Sequence, residues 1–581
     1  MRKEGTEVHV VKGMSSLLVG VVLLAGGVTA QEAKPPVAVG TVPGQQIRGE
    51  RLGAKVLPLS LADAVAMALQ HNINLEISRL GLAVAREGVL AAAGVFDAFT
   101  DLSFTSSSSS TPATNVLQGA RVSESKRRTL GLSLGTLLPT GGQASVGFDT
   151  SRAETNSQYY FLNPYWNTGL SFSFSQPLLK GFGTDVNRAA IEVARRSRDI
   201  SALAFEQIVI ATVQQVEVAY WNLIYQRENL AVKRQSLALA QDLLEQTKTR
   251  VRIGTSAPID IVQSEATVAA REQDIIVAEN QVQEAADVLK QLLGFESPED
   301  WASEILPTDS LEQNAMPTNL EASIATALER RVELKQRALD SEIRAINLVS
   351  AENATKPRLD LSLGYGWTGV NAVYAMDANG QLRVLRGDLG DALDQLAERD
   401  YRQWSAGLTF HYVLGNHTAK AALAQRRYEV ESARQDLASA RQLVIMEVRR
   451  AVRALEDSAK SIAAAEKARE LAERNLDAEQ KKFANGMSTN YQVLKIQEDL
   501  AAAQAAELRA RVTYRQAEAA YHVAVGDLLA TAGVRIAEEE PLPEPHRYLS
   551  GVKWLQYGHW AGEGNDTAAP KAPAATGEEQ Q

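Results

Sequence analysis

The sequence predicts a mainly α-helical protein in which long helical hairpins occur as a tandem duplication and short strands contribute a transmembrane β-barrel. Three observations support this fold class: an apolar N-terminal segment, an internal repeat at constant spacing, and strand-like segments with one apolar face. The charged (22%) and hydrophobic (45%) fractions are those of an ordinary folded protein, while aromatic residues are few (6%). Stretches rich in Ala, Glu, Gln, Arg and Leu favour long helices.

Charge and cysteine content exclude several functional classes. The net charge is −10, and the first thirty residues carry +1, so a mature chain from residue 31 would carry −11. This acidic balance argues against nucleic acid as a partner. The absence of cysteine excludes disulfide bonds, Cys-based metal sites and a Cys-anchored lipoprotein.

The N-terminus predicts export from the cytoplasm. Basic residues precede an apolar run from Leu17 to Val28, and Val28-Thr29-Ala30 is a plausible cleavage site, so residues 1–30 are predicted to be a signal peptide followed by a linker, 31–58. A permanent anchor is the alternative, but the run is shorter than the roughly 20 residues that a spanning helix needs. Because no other apolar stretch is long enough, we expect membrane insertion to occur through β-strands.

The chain repeats itself. Ser60–Ile77 resembles Leu320–Arg337, and both segments are predicted to form amphipathic helices. Further along, Gly254 and Gly486 lie in matching segments 232 residues apart (486 − 254), and the same spacing pairs Val216 with Val448. The sequence therefore predicts two repeats, 59–295 and 318–530, and a C-terminal segment, 531–581, with a disordered tail from about 561.

Each repeat contains one very long helical hairpin, predicted over 185–293 and 417–529. Apolar residues in the first follow the 4-3-4-3 spacing of a coiled-coil seam, at Val209, Val213, Val216, Tyr220 and Leu223. Such hairpins also suit a second class of protein, a secreted coiled-coil envelope spacer without a pore.

Strand-like segments distinguish these two classes. They are predicted at about 96–107, 129–137, 143–151, 167–177, 357–369 and 402–413. Apolar residues alternate with small or polar ones, as in lipid-facing barrel strands; a half-buried strand of a soluble sheet is the alternative. The candidate lipid-facing residues are Leu170, Phe172, Phe174, Leu361, Leu363, Tyr365, Trp367, Leu408, Phe410 and Tyr412.

The loops between these strands are predicted to differ in length. Pro139–Gly142 is a short turn, whereas Thr105–Arg128 and Ser151–Tyr165 are predicted to be long polar loops. Bacterial barrels have short periplasmic turns and longer external loops. The strands would therefore cross the membrane with the short turn on the periplasmic side.

Four motifs together carry a family resemblance. They are ALQHN (Ala68–Asn72), the strand-to-helix segment FSQPLLKGFG (Phe174–Gly183) with its echo FHYVLGNHTA, and the two hairpin tips RIGTSAPIDIVQSEA and FANGMSTNYQVLKIQ. On these motifs the chain resembles the outer-membrane efflux protein family (TolC-like) over roughly residues 58–530.

The resemblance implies an assembly and a function. Members form homotrimers whose strands share one outer-membrane β-barrel, which continues into the periplasm as an α-helical barrel. Their partners are outer-membrane lipid, a periplasmic adaptor protein and an inner-membrane pump or secretion ATPase. The expected function is a passive, gated duct for efflux of small molecules or for type I secretion, with no cofactor. Members usually contribute four strands per chain, so the hairpin around Pro139 is expected either to widen the barrel or to fold over one end.

The hairpin tips are the candidate functional sites. By resemblance, Asp260, Gln492 and Lys495 occupy positions at the periplasmic aperture. Lys495 and Gln492 stand where the family's best-known member has aspartates, which puts a gate plugged by cations in doubt. A second interpretation is that Lys495 only pairs with a neighbouring acid such as Glu498.

The turns themselves are candidate sites for docking the adaptor. Their residues are Gly254, Thr255, Ser256, Gly486, Met487 and Ser488. The alternative is that the glycines serve only as helix C-caps. No pattern in the sequence predicts a catalytic residue, and the seven histidines show no metal-ligand spacing.

Overall fold

The computed structural model describes residues 39–41, 56–112, 121–157, 160, 162–311, 316–376 and 382–536. The predicted signal peptide and the predicted disordered tail lie outside the described residues.

Most of the described chain is helical. The helices are α1 (Leu61–His71), α2 (Ile73–Ala93), α3 (Thr184–Asn187), α4 (Ala189–Arg252), α5 (Ile259–Leu292), α6 (Pro298–Trp301), α7 (Leu320–Arg330), α8 (Val332–Ala354), α9 (Leu389–Glu398), α10 (His417–Ala484), α11 (Asn490–Val525) and α12 (Leu528–Thr531). The strands are β1 (Val39–Thr41), β2 (Val56–Leu59), β3 (Phe99–Pro112), β4 (Val122–Leu137), β5 (Gln143–Thr155), β6 (Tyr165–Pro177), β7 (Glu304–Pro307), β8 (Arg358–Val370), β9 (Ala372–Met376), β10 (Leu382–Arg386), β11 (Tyr401–His411) and β12 (Val534–Ile536).

Two long hairpins, α4 with α5 and α10 with α11, dominate the structure. At a rise of 1.5 Å per residue, α4 and α10 are each about 100 Å long. Equivalent seam positions are buried in both repeats: Val216 and Val448 are each 0% exposed. The predicted fold class of duplicated long helical hairpins with antiparallel strands is confirmed. Within the described residues, none of the helices combines the length and the apolar character required to span a membrane.

The segments that open the two repeats, predicted to form amphipathic helices, are helical but each consists of two helices. The first breaks at Asn72 and the second at Arg331, both of which have extended backbone ψ angles. The Asn72 side chain accepts hydrogen bonds from the backbone of Asn74 and Leu75, and donates one to the carbonyl oxygen of Leu292 at 3.0 Å. Asn72 therefore caps α2 and ties it to the end of α5.

A single six-stranded antiparallel sheet has the order β11-β8-β6-β5-β4-β3. The β4–β5 hairpin, which contains the turn at Pro139, pairs along most of its length with β3 and β6. The additional hairpin is therefore part of the sheet. Among the residues that the structure describes, no strand pairs with the second edge of β3 or of β11.

The prediction of a long polar loop over Thr105–Arg128 was wrong. Strand β3 continues to Pro112 and β4 begins at Val122, so the serine run Ser106–Ser110 pairs with β4. Loop length was inferred from polarity, but the inter-strand ladder satisfies the backbone whatever the side chains are. Strand β5 likewise continues to Thr155, which shortens the second predicted loop.

A small unit between β8 and β11 was not predicted from the sequence. It consists of the β9–β10 hairpin and α9. Helix α9 begins with a capping box formed by Asp388 and Asp391. The Thr168 hydroxyl of β6 donates a hydrogen bond to the Ala392 carbonyl at 3.0 Å, which holds α9 against the sheet.

Two small sheets join distant parts of the chain. Strand β1 pairs with β12 and β2 pairs with β7, so the segment predicted as a linker, 31–58, contains β1 and most of β2. The Tyr220 hydroxyl on α4 lies 2.6 Å from the Asp309 carboxylate and 2.9 Å from the Leu59 carbonyl oxygen, which anchors β2 to the helical core.

Candidate functional site

The two hairpin tips have the same backbone geometry. Gly254 and Gly486 have positive φ angles of 81° and 72°, which glycine adopts without steric cost. In both turns the following residue donates its N–H to a carbonyl five residues earlier: Thr255 to Arg250 and Met487 to Lys482, each at 2.9 Å. This is a Schellman cap. The caps account for the glycines, and a docking role for the exposed turns stays a prediction.

The three predicted aperture residues lie in the first turns of the returning helices. Asp260 is half-buried at the start of α5, whereas Gln492 and Lys495 are exposed on α11. The Lys495 ammonium pairs with Glu498 and Asp499, each at 3.4 Å, and these carboxylates raise the pKa of Lys495. No hydrogen bond or ion pair joins Asp260 to Gln492 or Lys495 in the described part of this chain. The pairing of Lys495 with a neighbouring acid is therefore present, and a role at the aperture stays a prediction.

Asn490 connects the two tips, and sequence reasoning missed it. Its side chain is 4% exposed; it donates to the Asp260 carbonyl and the Ser264 hydroxyl, and accepts from the Thr247 hydroxyl. The two donated bonds are 3.2 and 2.8 Å long. Only the N-cap pattern at Thr489 marked this position in the sequence, since the partners lie more than 220 residues away.

A second contact holds the same tips together. The Arg250 guanidinium donates to the Phe483 carbonyl at 2.7 Å and lies 3.9 Å from the centre of the Phe483 ring. This combines a hydrogen bond with a cation–π contact. The apolar residues of this cluster come from α4, α10 and α11: Leu243, Leu476, Phe483, Val493, Leu494, Ile496 and Leu500.

Ser488, one of the predicted docking residues, is engaged within its own tip. Its hydroxyl donates to the carboxylate of Glu479, which also pairs with Lys482 at 3.0 Å. These two donors lower the pKa of Glu479, so the buried carboxylate stays ionised. Of the three predicted docking residues of the second tip, Gly486 and Met487 are therefore the exposed ones.

The sheet register places the predicted lipid-facing residues of the strands on one face. Phe172 is opposite Tyr365 and Leu361 is opposite Leu408, and side chains that face each other across strands share a face. Leu408 is 65% exposed in the single chain. Tyr412 lies directly after β11. The opposite face carries small polar residues, as in the hydrogen bond of 2.6 Å between Ser145 and Ser173.

The β4–β5 turn is attached to the segment where β6 ends and the helices begin. The Thr140 hydroxyl donates to Gln176 at 2.8 Å, the Gln176 amide donates back to the Thr140 carbonyl, and Gly183 donates to the same carbonyl. Gly141 has a φ angle of 89°, and a Cβ atom there would lie 2.2 Å from the Gly181 carbonyl oxygen. The additional hairpin is thus fixed at the helical end of the sheet.

A titratable cluster lies at the middle of the helical part. His522 Nδ1 is 2.9 Å from Asp527, whose carboxylate raises the pKa of the imidazole. Burial raises the pKa of Glu217 to about 7, with the nearby charge of His522 opposing this effect. Among the residues that the structure describes, no group of three metal-ligating side chains is present.

Comparisons with known proteins agree with this architecture. A family model described as outer membrane efflux protein matches residues 141–295 and 323–527. The chain is similar to the outer membrane protein TolC of Vibrio cholerae, with 25% identity over 325 residues, which is 55% of this chain and 68% of that protein. It is also similar to TolC of Escherichia coli, with 24% identity over 356 residues, 57% of this chain and 68% of that protein. The crystal structure of the CmeC outer membrane channel of Campylobacter jejuni matches with a TM-score of 0.60 and 14% identity over 85% of this chain and 89% of that one.

Proposed function

Because the chain belongs to the outer membrane efflux protein family, we propose that it works as a homotrimer with a periplasmic adaptor and an inner-membrane pump or secretion ATPase. The protein is an outer-membrane efflux channel with a helical extension in the periplasm, a transport protein and not an enzyme. Its energy has to come from the partner pump. Small molecules, or proteins of type I secretion, are the proposed substrates.

The open sheet is the observation that supports the trimer. Side chains of edge strand β3 are exposed along its whole length, and those of β11 along nearly all of it. An unpaired edge of this length is normally covered by another strand. Because the sheet has six strands, its first and last strands run in opposite directions, so β11 of one protomer can pair antiparallel with β3 of the next. The apolar face then contacts lipid, and the face carrying serine and glycine lines the lumen.

Three sheets of six strands would give a barrel of eighteen strands. Barrel diameter grows roughly in proportion to strand number, so this barrel would be about one and a half times as wide as one with twelve strands. The additional hairpin therefore widens the barrel. Its attachment through Thr140 and Gln176 supports this position over folding across an end.

Two measurements test the assembly. Cross-linking in detergent is expected to give a trimer as the largest product. In planar bilayers, polyethylene glycols of graded size added on the barrel side are expected to enter a mouth about one and a half times as wide as a barrel of twelve strands. A monomer, or a mouth no wider than twelve strands allow, would contradict the proposal.

We further propose that the hairpin tips close the periplasmic end of the duct and bind the adaptor. Asp260, Gln492 and Lys495 would line the periplasmic aperture, and the exposed turns at Gly254–Ser256 and Gly486–Ser488 would contact the adaptor. The identical capping of both turns supports this, since three chains would present six equivalent ends. Met487→Asp is expected to abolish adaptor binding in pull-down while the trimer persists, because its side chain is 71% exposed. Leu471→Asp, also exposed but away from the tip, serves as control.

A further inference from the structure

An open cavity of about 610 Å³ lies where three segments that connect strands and helices meet. These segments are residues 177–183 after β6, 354–358 before β8 and 412–416 after β11. The proposed transport function requires nothing of this cavity. Its lining nevertheless differs from the rest of the polar face in charge.

The cavity opens on the polar face of the sheet. Its lining residues Ser175 and Gln143 are opposite each other, and Arg358 is opposite His411. These positions alternate with the apolar ones, such as Phe174, and so point to the other side. In the proposed trimer that side is the lumen, at the level where the barrel meets the helices.

Cationic groups dominate the lining. Lys180, Lys356 and Arg358 line the cavity, and Asp360 is the acid among its lining residues. Asp360 is neutralised by Arg358, since their charged atoms are 2.5 Å apart. Both lysine side chains are exposed and make no hydrogen bond or ion pair with any part of the chain that the structure describes.

We infer that this cavity binds multiply charged anions, such as solutes that carry phosphate groups, on their way through the duct. The inference rests on the proposed trimer, in which threefold symmetry makes a ring of six unpaired lysines. Rings of Lys or Arg select anions in pores, and Lys ammonium groups bind phosphate as compact charges. The walls of the duct concentrate this field, so anions are enriched at the ring.

Block by inorganic triphosphate tests the inference. Added on the barrel side of wild-type channels in planar bilayers, triphosphate is expected to reduce the current at low ionic strength and to lose this effect in high salt. The double variant Lys180→Gln/Lys356→Gln is expected to need about tenfold more triphosphate for the same block. Lys420→Gln is the matched control, because Lys420 is exposed on the first turn of α10 but does not line the cavity.

Calorimetric binding of triphosphate to the detergent-solubilised protein separates the two proposals. Equal block and equal binding in wild type and double variant would overturn the anion site and leave the duct intact. Binding that depends on the two lysines, in a protein that forms no channel, would overturn the duct and leave the anion site standing. Circular dichroism checks that the variants fold.

Discussion

Asn490→Ala is expected to loosen the contact between the two hairpin tips without unfolding the protein. The substitution removes the two hydrogen bonds that Asn490 donates, to Asp260 and Ser264, and its contact with the Thr247 hydroxyl. The two hydroxyls keep other acceptors, because Ser264 also donates to the Asp260 carbonyl and Thr247 to the Leu243 carbonyl. No buried donor is left unpaired, so the cost is that of the lost bonds alone.

The free-energy cost of Asn490→Ala follows from these lost bonds. The two bonds that Asn490 donates contribute about 1 kcal/mol each, about 2 kcal/mol in total, because the Thr247 proton stays with the Leu243 carbonyl. Since about 1.4 kcal/mol is a factor of ten, the open population of the tips should rise about 30-fold. Asn490→Asp should give at least as large a rise, because it loses both donors and places a buried carboxylate beside the Asp260 carbonyl oxygen.

Single-channel recording in planar bilayers measures this population as open probability. Asn485→Ala is the matched control, because Asn485 belongs to the same tip but is exposed and donates only within its own helix, to Lys481. Equal open probabilities in Asn490→Ala and Asn485→Ala would refute the role of Asn490 in joining the hairpins. A large fall in the melting temperature of Asn490→Ala would show that the contact serves the fold as a whole.

Three further changes test other features. Lys495→Asp is expected to make the conductance sensitive to divalent cations, because a ring of carboxylates at the aperture binds them; continued insensitivity would place this side chain away from the aperture. Burial raises the pKa of Glu217 from 4.5 to about 7, so its protonated form favours the folded state and this stabilisation is lost as pH rises through 7. Glu217→Gln should therefore stabilise the protein at pH 8 by at most about 3 kcal/mol, measured as a higher melting temperature, and should change the melting temperature little at pH 4.5. An equal shift at both pH values would contradict the assignment. Gly141→Ala should destabilise the protein by about 1–3 kcal/mol, because Gly141 has a positive φ and lies close to the Gly181 carbonyl. Gly88→Ala, in helix α2 with no neighbour within 4 Å, should instead stabilise it by about 1 kcal/mol in thermal unfolding. Similar effects at both sites would argue against strain at the turn.

The helical hairpins were predictable because their information is local. The seam of apolar residues around Val216 and Val448 follows the helical period, and Gly254 and Gly486 mark the ends of the long helices. The family followed from the order of these motifs, and the family model confirms it. Alternation around Phe172 and Tyr365 likewise identified the apolar face of the strands, and the register shows that face continuing across the sheet.

Local patterns failed where the outcome depends on a partner strand or helix. Ser106–Ser110 lies in a strand because β4 supplies a complete hydrogen-bond ladder, which polarity does not reveal. The bond from the Asn72 side chain to the Leu292 carbonyl likewise joins segments 220 residues apart.

The sequence by itself therefore determined the length, repetition and amphipathic pattern of the elements, since each follows from periodicity within a few turns or residues. Only the tertiary structure decided how they meet: the hairpin at Pro139 within the sheet, the Asn490 contact between tips, and the cavity containing Lys180 and Lys356. Each of these brings together groups from separate segments of the chain, and long-range contacts of this kind leave no periodic signal in the sequence.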